Sequence, residues 1–426
     1  MRATPRFDSR APAVAWPTVV AFAVLFAVGG SHATRAATFV SPFAVVAIES
    51  NSNIFMRPSS QPPFAANGIT ALGDTVKDYE AGFESELDFG LDRLTLDGEG
   101  TRDDYNRFSF LDHTDYDFGA GLDWRLGPVV DGKVSYRQSR YMAPFTDTLA
   151  TVLLLDTERI AKATVRVRMS PLWRIDLTPG LHQIDTPLPG FPGFRLSETT
   201  GTAELDYLGF GRLTAGLEYL YEHGRYAGIV GATKYDQRDV GLTARYKVSG
   251  LSTFSANVGY TRRDSVANSV DSVRSPTRGG TIFAGYAGTI GTTSSVTGSL
   301  SYERQLTGKT SASLSLFRRV DSYTAGANPD VATGGSVGVI WKADPKFTVD
   351  LNYSLMREQI KGGLVAVNVA NRSDRTQAAR VEVRYAALSW LTIRPYFDWT
   401  RATSTFRLGN YSQTIVGIDV MSKLKW

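Results

Sequence analysis

The chain has 426 residues and no cysteine, which excludes disulfide frameworks, thiolate metal sites and cysteine nucleophiles. Its formal net charge of +4 comes from 46 basic and 42 acidic residues, and this near balance argues against a nucleic-acid partner. Hydrophobic residues make up 42% of the chain and the mean hydropathy is −0.15, too polar for a bundle of transmembrane helices but normal for strands that alternate polar and apolar residues.

The N-terminus has the pattern of a secretory signal peptide. Three arginines lie within the first ten residues, an uncharged stretch follows over 11–30, and Ser31-His32-Ala33 fits the small-x-small cleavage rule. Ala36 ends a second possible cleavage motif. An uncleaved membrane anchor is the alternative, which Pro17 and the small-residue ending disfavour.

Cleavage after Ala33 divides the chain into three predicted regions. These are a signal peptide over 1–33, a short periplasmic segment over 34–42 and a membrane β-barrel over 43–426. No other apolar run reaches the ~20 residues that a transmembrane helix needs, so we expect the exported chain to enter a membrane as strands.

From residue 43 onward the sequence falls into segments of roughly 10–15 residues with period-two alternation. In Tyr79–Phe89 the odd positions are apolar except for Ser85, and acidic residues or glycine lie between them. Tyr116–Trp124, Phe347–Leu355 and Arg380–Tyr385 repeat the pattern. Such alternation is typical of barrel strands that face lipid on one side and the lumen on the other.

Short and long connections alternate between these segments. Short turns are predicted near Gly90–Arg93, Leu126–Gly132, Ser170–Leu172, Gly209–Gly211, Ser249–Leu251, Thr307–Lys309, Ala343–Lys346 and Leu388–Leu391. Longer polar loops are predicted near Met56–Gly73, Asn106–Asp112, Ala143–Leu155, Asp185–Phe194, Asp264–Arg278, Ser322–Ala332, Lys361–Asp374 and Ser404–Asn410.

This organisation predicts an all-β fold: a transmembrane, antiparallel up-and-down outer-membrane β-barrel with short periplasmic turns and longer extracellular loops. Counting segments gives about eighteen strands, an even number if both termini face the periplasm. Thr281–Ile290 is the uncertain place, either a strand or an extension of the preceding loop, and counts of roughly sixteen to twenty are compatible with the pattern.

The C-terminal segment separates this fold from a soluble β-sandwich or propeller. Alternate positions back from the last residue form a predicted lipid face, interrupted at Ser422: Val416, Ile418, Val420, Leu424 and Trp426. An aromatic last residue preceded by alternating apolar positions resembles the terminal-strand signal of outer-membrane proteins. The final strand therefore favours a barrel that closes in the outer membrane of a Gram-negative bacterium.

The same alternation predicts which charges face the lumen. One arc of the inner wall is acidic, with Glu80, Glu84, Glu86, Asp88, Asp97, Glu99, Asp117 and Asp123. The next arc is basic, with Lys133, Arg137, Lys162, Arg166, Arg168 and Arg174. The arcs can impose a transverse field on an aqueous pore, or they can be ion pairs between neighbouring strands that keep the lumen polar.

Other functional signals are weak. The four histidines share no metal-ligand spacing, no serine stands out as a nucleophile, and no phosphate-binding loop is present. We therefore predict no catalytic residue, cofactor or metal, and no enzyme activity. Aromatic residues in loops and lumen can stack on sugar rings, although structural roles are more common for them: Tyr105, Phe108, Phe110 and Tyr396.

The sequence resembles the β-barrel porin 2 proteins, and in particular the EpsL-type outer-membrane proteins of exopolysaccharide biosynthesis loci. The residues that carry the resemblance are Glu49–Arg57, Asp103–Phe108, Tyr116–Trp124, Gly132–Tyr141, Gly298–Tyr302 and Leu306–Lys309. The resemblance spans essentially the mature chain and implies an outer-membrane protein that serves secretion of a polymer made inside the cell.

Three functions are compatible with these observations. The first is a passive channel for exopolysaccharide export, with a polysaccharide chain and a periplasmic export protein as partners. The second is a general or ion-selective diffusion porin for small solutes. The third is a structural or adhesive barrel whose loops plug its lumen. In each case we expect outer-membrane lipid and the barrel-assembly machinery as partners.

Overall fold

The computed structural model describes residues 37–59, 71–146, 152–188, 191–228, 231–267, 291–322, 329–364, 369–406 and 409–424. The predicted signal peptide with both cleavage motifs, the uncertain segment Thr281–Ile290, and the last residue Trp426 lie outside the described residues.

The described residues form eighteen strands and one short 3-10 helix, Ser109–Leu111. The strands are β1 (Ala37–Asn51), β2 (Asp74–Phe89), β3 (Asp92–Tyr105), β4 (His113–Leu126), β5 (Val130–Met142), β6 (Leu155–Arg168), β7 (Trp173–Leu188), β8 (Phe191–Phe210), β9 (Leu213–Gly228), β10 (Gly231–Ser249), β11 (Ser252–Ala267), β12 (Gly291–Gln305), β13 (Thr310–Ser322), β14 (Pro329–Asp344), β15 (Phe347–Leu364), β16 (Val369–Leu388), β17 (Leu391–Ser404) and β18 (Tyr411–Lys423). No helix among the described residues is long and apolar enough to cross a membrane.

Every strand pairs antiparallel with the strands before and after it in sequence, and β1 closes the sheet on β18. The closing seam runs from Phe43 opposite Lys423 to Asn51 opposite Ile415. All eighteen strands therefore belong to one closed barrel without a free edge. The predicted fold class and strand number are confirmed.

The first strand begins earlier than expected. β1 starts at Ala37, inside the segment 34–42 that the sequence analysis assigns to the periplasm. Residues 37–42 pair with β2 on one side only, and Leu424 donates its backbone N–H to the Pro42 carbonyl at 3.0 Å where the seam begins. Position 43 is thus where two-sided pairing starts, rather than where the strand starts.

Short turns gather at one rim of the barrel, which we call the short-turn rim. Gly90, Gly127 and Gly211 adopt φ of +67°, +65° and +66° in three of these turns, a conformation that favours glycine. The eight predicted short turns all lie at this rim. At the opposite, long-loop rim the predicted loop Asp185–Phe194 is mostly strand, because β7 runs to Leu188 and β8 starts at Phe191. The connection between β9 and β10, which are paired up to Gly228 and Gly231, was not predicted.

Large apolar side chains project outward around the whole barrel. They include Val46 on β1, Leu242 on β10, Val258 on β11 and Val296 on β12, each more than half exposed. Soluble monomers rarely expose apolar surface on this scale, whereas a barrel wall in lipid must. The described part of the predicted closing-strand lipid face points the same way, with Val416, Ile418, Val420 and Leu424 exposed.

The opposite, concave face encloses the lumen. On this face some side chains form hydrogen bonds over an intervening strand. Thr243 of β10 donates to Glu204 of β8 at 2.9 Å and crosses β9 to do so. Gly216 of β9 makes the passage possible, because a Cβ there would lie 2.5 Å from the Thr243 hydroxyl. Hydrogen bonds that cross an intervening strand are possible only on the concave side of the sheet, so they identify the inward face that carries the candidate site.

Candidate functional site: the lumen wall and its loop cap

The ladder register places every residue of the two predicted charge arcs on the inward face. The acidic arc lies on β2 to β4 and the basic arc on β5 to β7. The two arcs are in contact between β4 and β5, where Arg137 donates a hydrogen bond to the Asp117 carboxylate at 2.8 Å. Whether the arcs act on a solute stays a prediction.

The acidic arc is only partly neutralised. Arg93 pairs with Asp88 at 2.8 Å and Glu86 at 3.2 Å near the short-turn rim. Lys423 reaches Glu84 across β1 at 2.7 Å. The remaining carboxylates of the arc face the lumen with few bases beside them, so the wall over β2 to β4 carries a negative potential.

The basic arc is interleaved with carboxylates, of which Asp131 and Asp176 were not predicted to face the lumen. Arg166 pairs with Asp131 at 2.9 Å, and Arg174 pairs with Asp176 at 3.0 Å and also with Asp206. Asp131 lies two positions before Lys133, so the period-two rule applied one step further would have placed it inside. Arg137, Arg166 and Arg174, half of the six bases of the arc, are thus ion-paired, which agrees in part with the structural interpretation of the arcs.

An acidic niche lies where the barrel closes. A cavity of about 390 Å³ on the inward face is shared by β1, β2, β3, β16, β17 and β18. Its lining contains six carboxylates but only Arg380 and Arg394 as bases; the acidic residues are Glu49, Asp78, Glu80, Asp103, Asp398 and Asp419. Arg380 pairs with Asp398 at 3.0 Å and Arg394 with Asp419 at 2.6 Å, which leaves the carboxylates of β1 to β3 in excess.

A hydrogen-bonded network stiffens the wall on the other side of the lumen. Tyr235 of β10 lies over Gly224, and its hydroxyl contacts the Glu222 carboxyl group at 2.6 Å and the Glu198 carboxyl group of β8. His182 contacts Glu158 at 2.7 Å and Glu198 at 2.5 Å. The Arg263 guanidinium lies 3.4 Å from the centre of the Tyr235 ring. One connected set of polar side chains thus spans β6 to β11.

Three loops fold inward over the lumen wall at the long-loop rim, and we call this structure the loop cap. Its core is apolar and buried: Ile54, Phe55, Val76, Tyr105, Phe108, Leu111 and Phe145. Phe55 has no exposed surface, and its ring lies 4.9 Å from that of Phe108 and 5.0 Å from that of Phe145. Val76 and Tyr105 belong to the inward faces of β2 and β3, so the cap narrows the lumen from this side.

Polar side chains tie the loop cap to the barrel. The Asp74 carboxylate accepts backbone N–H bonds from Arg107 at 2.9 Å and Phe108 at 2.8 Å. The Asn53 amide donates to the Arg57 carbonyl at 2.8 Å and to the Ser412 carbonyl at 3.0 Å. The segment Glu49–Arg57, which carries part of the family resemblance, is therefore the piece that anchors the cap to the closing strand.

The cap changes the interpretation of the loop aromatics. Tyr105 and Phe108, considered above as sugar-stacking residues, are buried in the cap core, and only Phe110 is largely exposed. The predicted polar loops contain apolar residues at Phe108, Leu111 and Phe145, and this was the signal available in the sequence for a folded cap.

Two groups in the wall bring three potential metal ligands together among the described residues: Asp103, His113 and Asp115, and Asp176, Glu204 and Asp206. Both ring nitrogens of His113 face oxygen atoms, the Leu111 carbonyl at 2.7 Å and the two carboxylates at 3.1 and 3.2 Å. A protonated imidazole satisfies all three. In the second group Arg174 already supplies the positive charge.

Comparisons with known proteins support the fold. No protein-family model matches the chain, and no curated protein sequence matches it. The FrpB iron transporter from Neisseria meningitidis (F3-3 variant) superposes with a TM-score of 0.50 at 11% identity over 86% of this chain and 63% of that chain. This chain thus spans less than two thirds of the FrpB chain.

Shorter barrels match over their whole length. OpdK from Pseudomonas aeruginosa, solved with vanillate, has a TM-score of 0.44 at 15% identity and covers 91% of this chain and 99% of its own. OccAB3 from Acinetobacter baumannii has a TM-score of 0.45 at 8% identity with the same coverage. At such low identity the likeness to FrpB concerns the barrel fold alone.

Proposed function

We propose that this chain is an outer-membrane channel through which small polar solutes diffuse, with a preference for cations. The observation that carries the proposal is the closed eighteen-stranded barrel, apolar outside and charged inside. Barrels of 16–18 strands can enclose an aqueous channel. We assign the short-turn rim to the periplasm and the long-loop rim to the cell exterior, following the usual asymmetry of such barrels. Export would use the predicted signal peptide.

The cation preference rests on the charges of the inner wall. The acidic niche adjoins the acidic arc at β2 and β3, and the arc has three pairing bases, Arg93, Lys423 and Arg137, for its eight carboxylates. Rings or walls of carboxylates raise the local cation concentration and repel anions. The opposing field of the basic arc is reduced, because Arg166 and Arg174, two of its six members, are paired with Asp131, Asp176 and Asp206.

The restriction to small solutes rests on the loop cap. Its core is as well buried as that of a folded domain and is fixed to β18 by Asn53 and Gln413. A solute must pass beside this rigid cap. We infer that the cap limits solute size, and that a polymer which displaced it would expose Phe55 and Phe108 to water.

Export of an exopolysaccharide, which the family resemblance implies, receives no support from the structural comparisons. Its support is the resemblance itself, including the cap-anchoring segment Glu49–Arg57. Deletion of the gene separates the two functions, because an export channel requires loss of surface polymer while a diffusion channel predicts normal polymer and slower uptake of small solutes.

The direct test is electrical. The full chain, refolded and inserted into a planar bilayer, should give steady single-channel currents and a reversal potential of cation-selective sign in a KCl gradient. Liposome swelling should occur with monosaccharides and fall as the sugars lengthen. A closed barrel without current would support the plugged, structural alternative, and an anion-selective reversal potential would contradict the assignment of the acidic wall.

A further inference from the structure

A row of basic and hydroxyl side chains crosses the outward face of β13 to β17. The register places these residues directly opposite one another from strand to strand: Arg318, Thr333, Arg357, Arg375 and Thr403. All five are exposed. They lie toward the long-loop rim and share a face with the lipid-facing residues Leu314, Leu351 and Val337.

An apolar groove lies directly below this row. It is a cavity of about 960 Å³ on the outward wall, bounded by Leu314, Leu316, Val337, Tyr353 and Leu355, with Arg357 and Arg375 at its upper end. Gly335 forms its floor between Leu316 and Leu355, and the missing side chain makes the depression. A groove of this size and polarity can hold hydrocarbon chains.

Several outward arginines elsewhere in the barrel have carboxylate partners. Arg102 pairs with Asp104 at 2.8 Å, Arg159 with Asp185 at 2.7 Å and Arg262 with Asp264 at 3.3 Å. Within the part of the chain that the structure describes, no such carboxylate lies beside Arg318, Arg357 or Arg375.

Arg357 and Arg375 stand directly opposite each other across β15 and β16. Like charges in that position repel, so an anion between them would be stabilising. Thr333 and Thr403 supply hydroxyl donors at the two sides of the pair, and Arg318 already donates to the Thr333 hydroxyl at 3.0 Å.

We propose that this surface binds one phosphate-bearing lipid of the surrounding membrane leaflet. Its phosphate groups would accept from Arg357, Arg375 and the flanking hydroxyls, and its acyl chains would lie in the groove over Gly335. Arginine suits phosphate because its planar guanidinium donates two parallel hydrogen bonds. The arginines lie toward the long-loop rim and the apolar groove lies toward mid-membrane, which is the same order as the phosphate groups and acyl chains of such a lipid. The proposal goes beyond the channel function and does not depend on what crosses the lumen.

The test measures lipid retention by native mass spectrometry of the full chain released from detergent micelles. The probes are bisphosphorylated lipid A and the same lipid after enzymatic dephosphorylation. The variant Arg357→Ala with Arg375→Ala should lower retention of the phosphorylated probe about tenfold, whereas Arg357→Lys with Arg375→Lys should be intermediate because charge persists without the planar donor pair. The matched control is Arg102→Ala with Arg262→Ala, which removes two outward arginines that have their own carboxylates and should leave retention unchanged.

Three outcomes would overturn the proposal. One is equal retention by the double alanine variant and the native chain. Another is equal retention of the phosphorylated and dephosphorylated probes. The third is a dimer that the alanine variant disrupts while lipid retention stays constant, since this would assign the surface to a second copy of the chain. The substituted arginines are exposed, and the heat-dependent mobility of the barrel in gels confirms that each variant is folded.

Discussion

Tyr396 on β17 donates a hydrogen bond to the Glu49 carboxylate on β1 at 2.8 Å and thereby bridges the closing strand β18. The ring passes over Gly417, where a Cβ would lie 2.4 Å from the ring carbon that carries the hydroxyl. The first strand and the penultimate strand are therefore joined by a side chain, in addition to the backbone ladders of the seam.

Gly417→Ala should weaken this seam. The added methyl group displaces the Tyr396 ring and breaks its bond to Glu49, at a cost of about 1–3 kcal/mol for an overpacked site. We expect a lower urea midpoint in detergent micelles, followed by tryptophan fluorescence. Gly201→Ala is the matched control, because a Cβ at Gly201 meets no atom within 4 Å. Equal midpoints for the two variants would show that the Tyr396 bridge does not support closure.

The alternation of apolar and polar residues predicts the strands of this barrel, the faces of each strand and the closing strand, because the surrounding lipid requires apolar residues on the outward face. An outward Arg or Lys at mid-membrane costs about 2–4 kcal/mol, so each strand has one permitted register. This is why Val416, Ile418 and Val420 could be placed from sequence. The inward charges of β2 to β7 could be placed for the same reason.

The loop cap and the ion-pair partners could not be predicted in this way. The contact between Phe55 and Phe145 joins loops that are distant in sequence and follow no period, and the pairing of Arg174 with Asp206 depends on how β7 and β8 are staggered. The row of arginines proposed to bind lipid likewise appears only when three registers align Arg318, Arg357 and Arg375.

Phe55→Ala should loosen the loop cap without unfolding the barrel. Removing a fully buried phenylalanine costs about 3–5 kcal/mol, and here the loss falls on the loops that Phe108 and Phe145 hold together. We expect faster cleavage of the loops by an external protease and a higher, noisier single-channel conductance.

The matched control for the cap is Phe110→Ala. Phe110 belongs to the 3-10 helix of the same cap but is 47% exposed, so its removal should change neither protease sensitivity nor conductance. If Phe55→Ala left the conductance unchanged while the loops became protease-sensitive, the cap would not limit the channel.

Neutralising the acidic niche should reduce the cation preference. Asp78→Asn combined with Glu80→Gln removes two inward carboxylates from β2 without changing side-chain volume. The reversal potential in a KCl gradient should move toward zero, and the effect should shrink at high salt because the field is screened. Asp104→Asn with Asp264→Asn removes two outward carboxylates and should leave the reversal potential unchanged. If the reversal potential moved equally in both double variants, the selectivity would depend on the net charge of the protein and not on the carboxylates of the lumen wall.

Arg174→Met should lower the free energy of unfolding of the barrel, although Arg174 faces an aqueous lumen. Its guanidinium pairs with Asp206, whose side chain is only 4% exposed, while the arginine itself is 32% exposed. The variant leaves a buried carboxylate without its cation, and solvent screening of the arginine limits the expected cost to about 1–3 kcal/mol in the free energy of unfolding. Asp206→Asn in the same chain should restore much of this loss, because the neutral amide no longer needs the cation. Urea unfolding of the two single variants and the double variant gives the coupling energy directly, and additive losses would mean that the two side chains stabilise the wall independently.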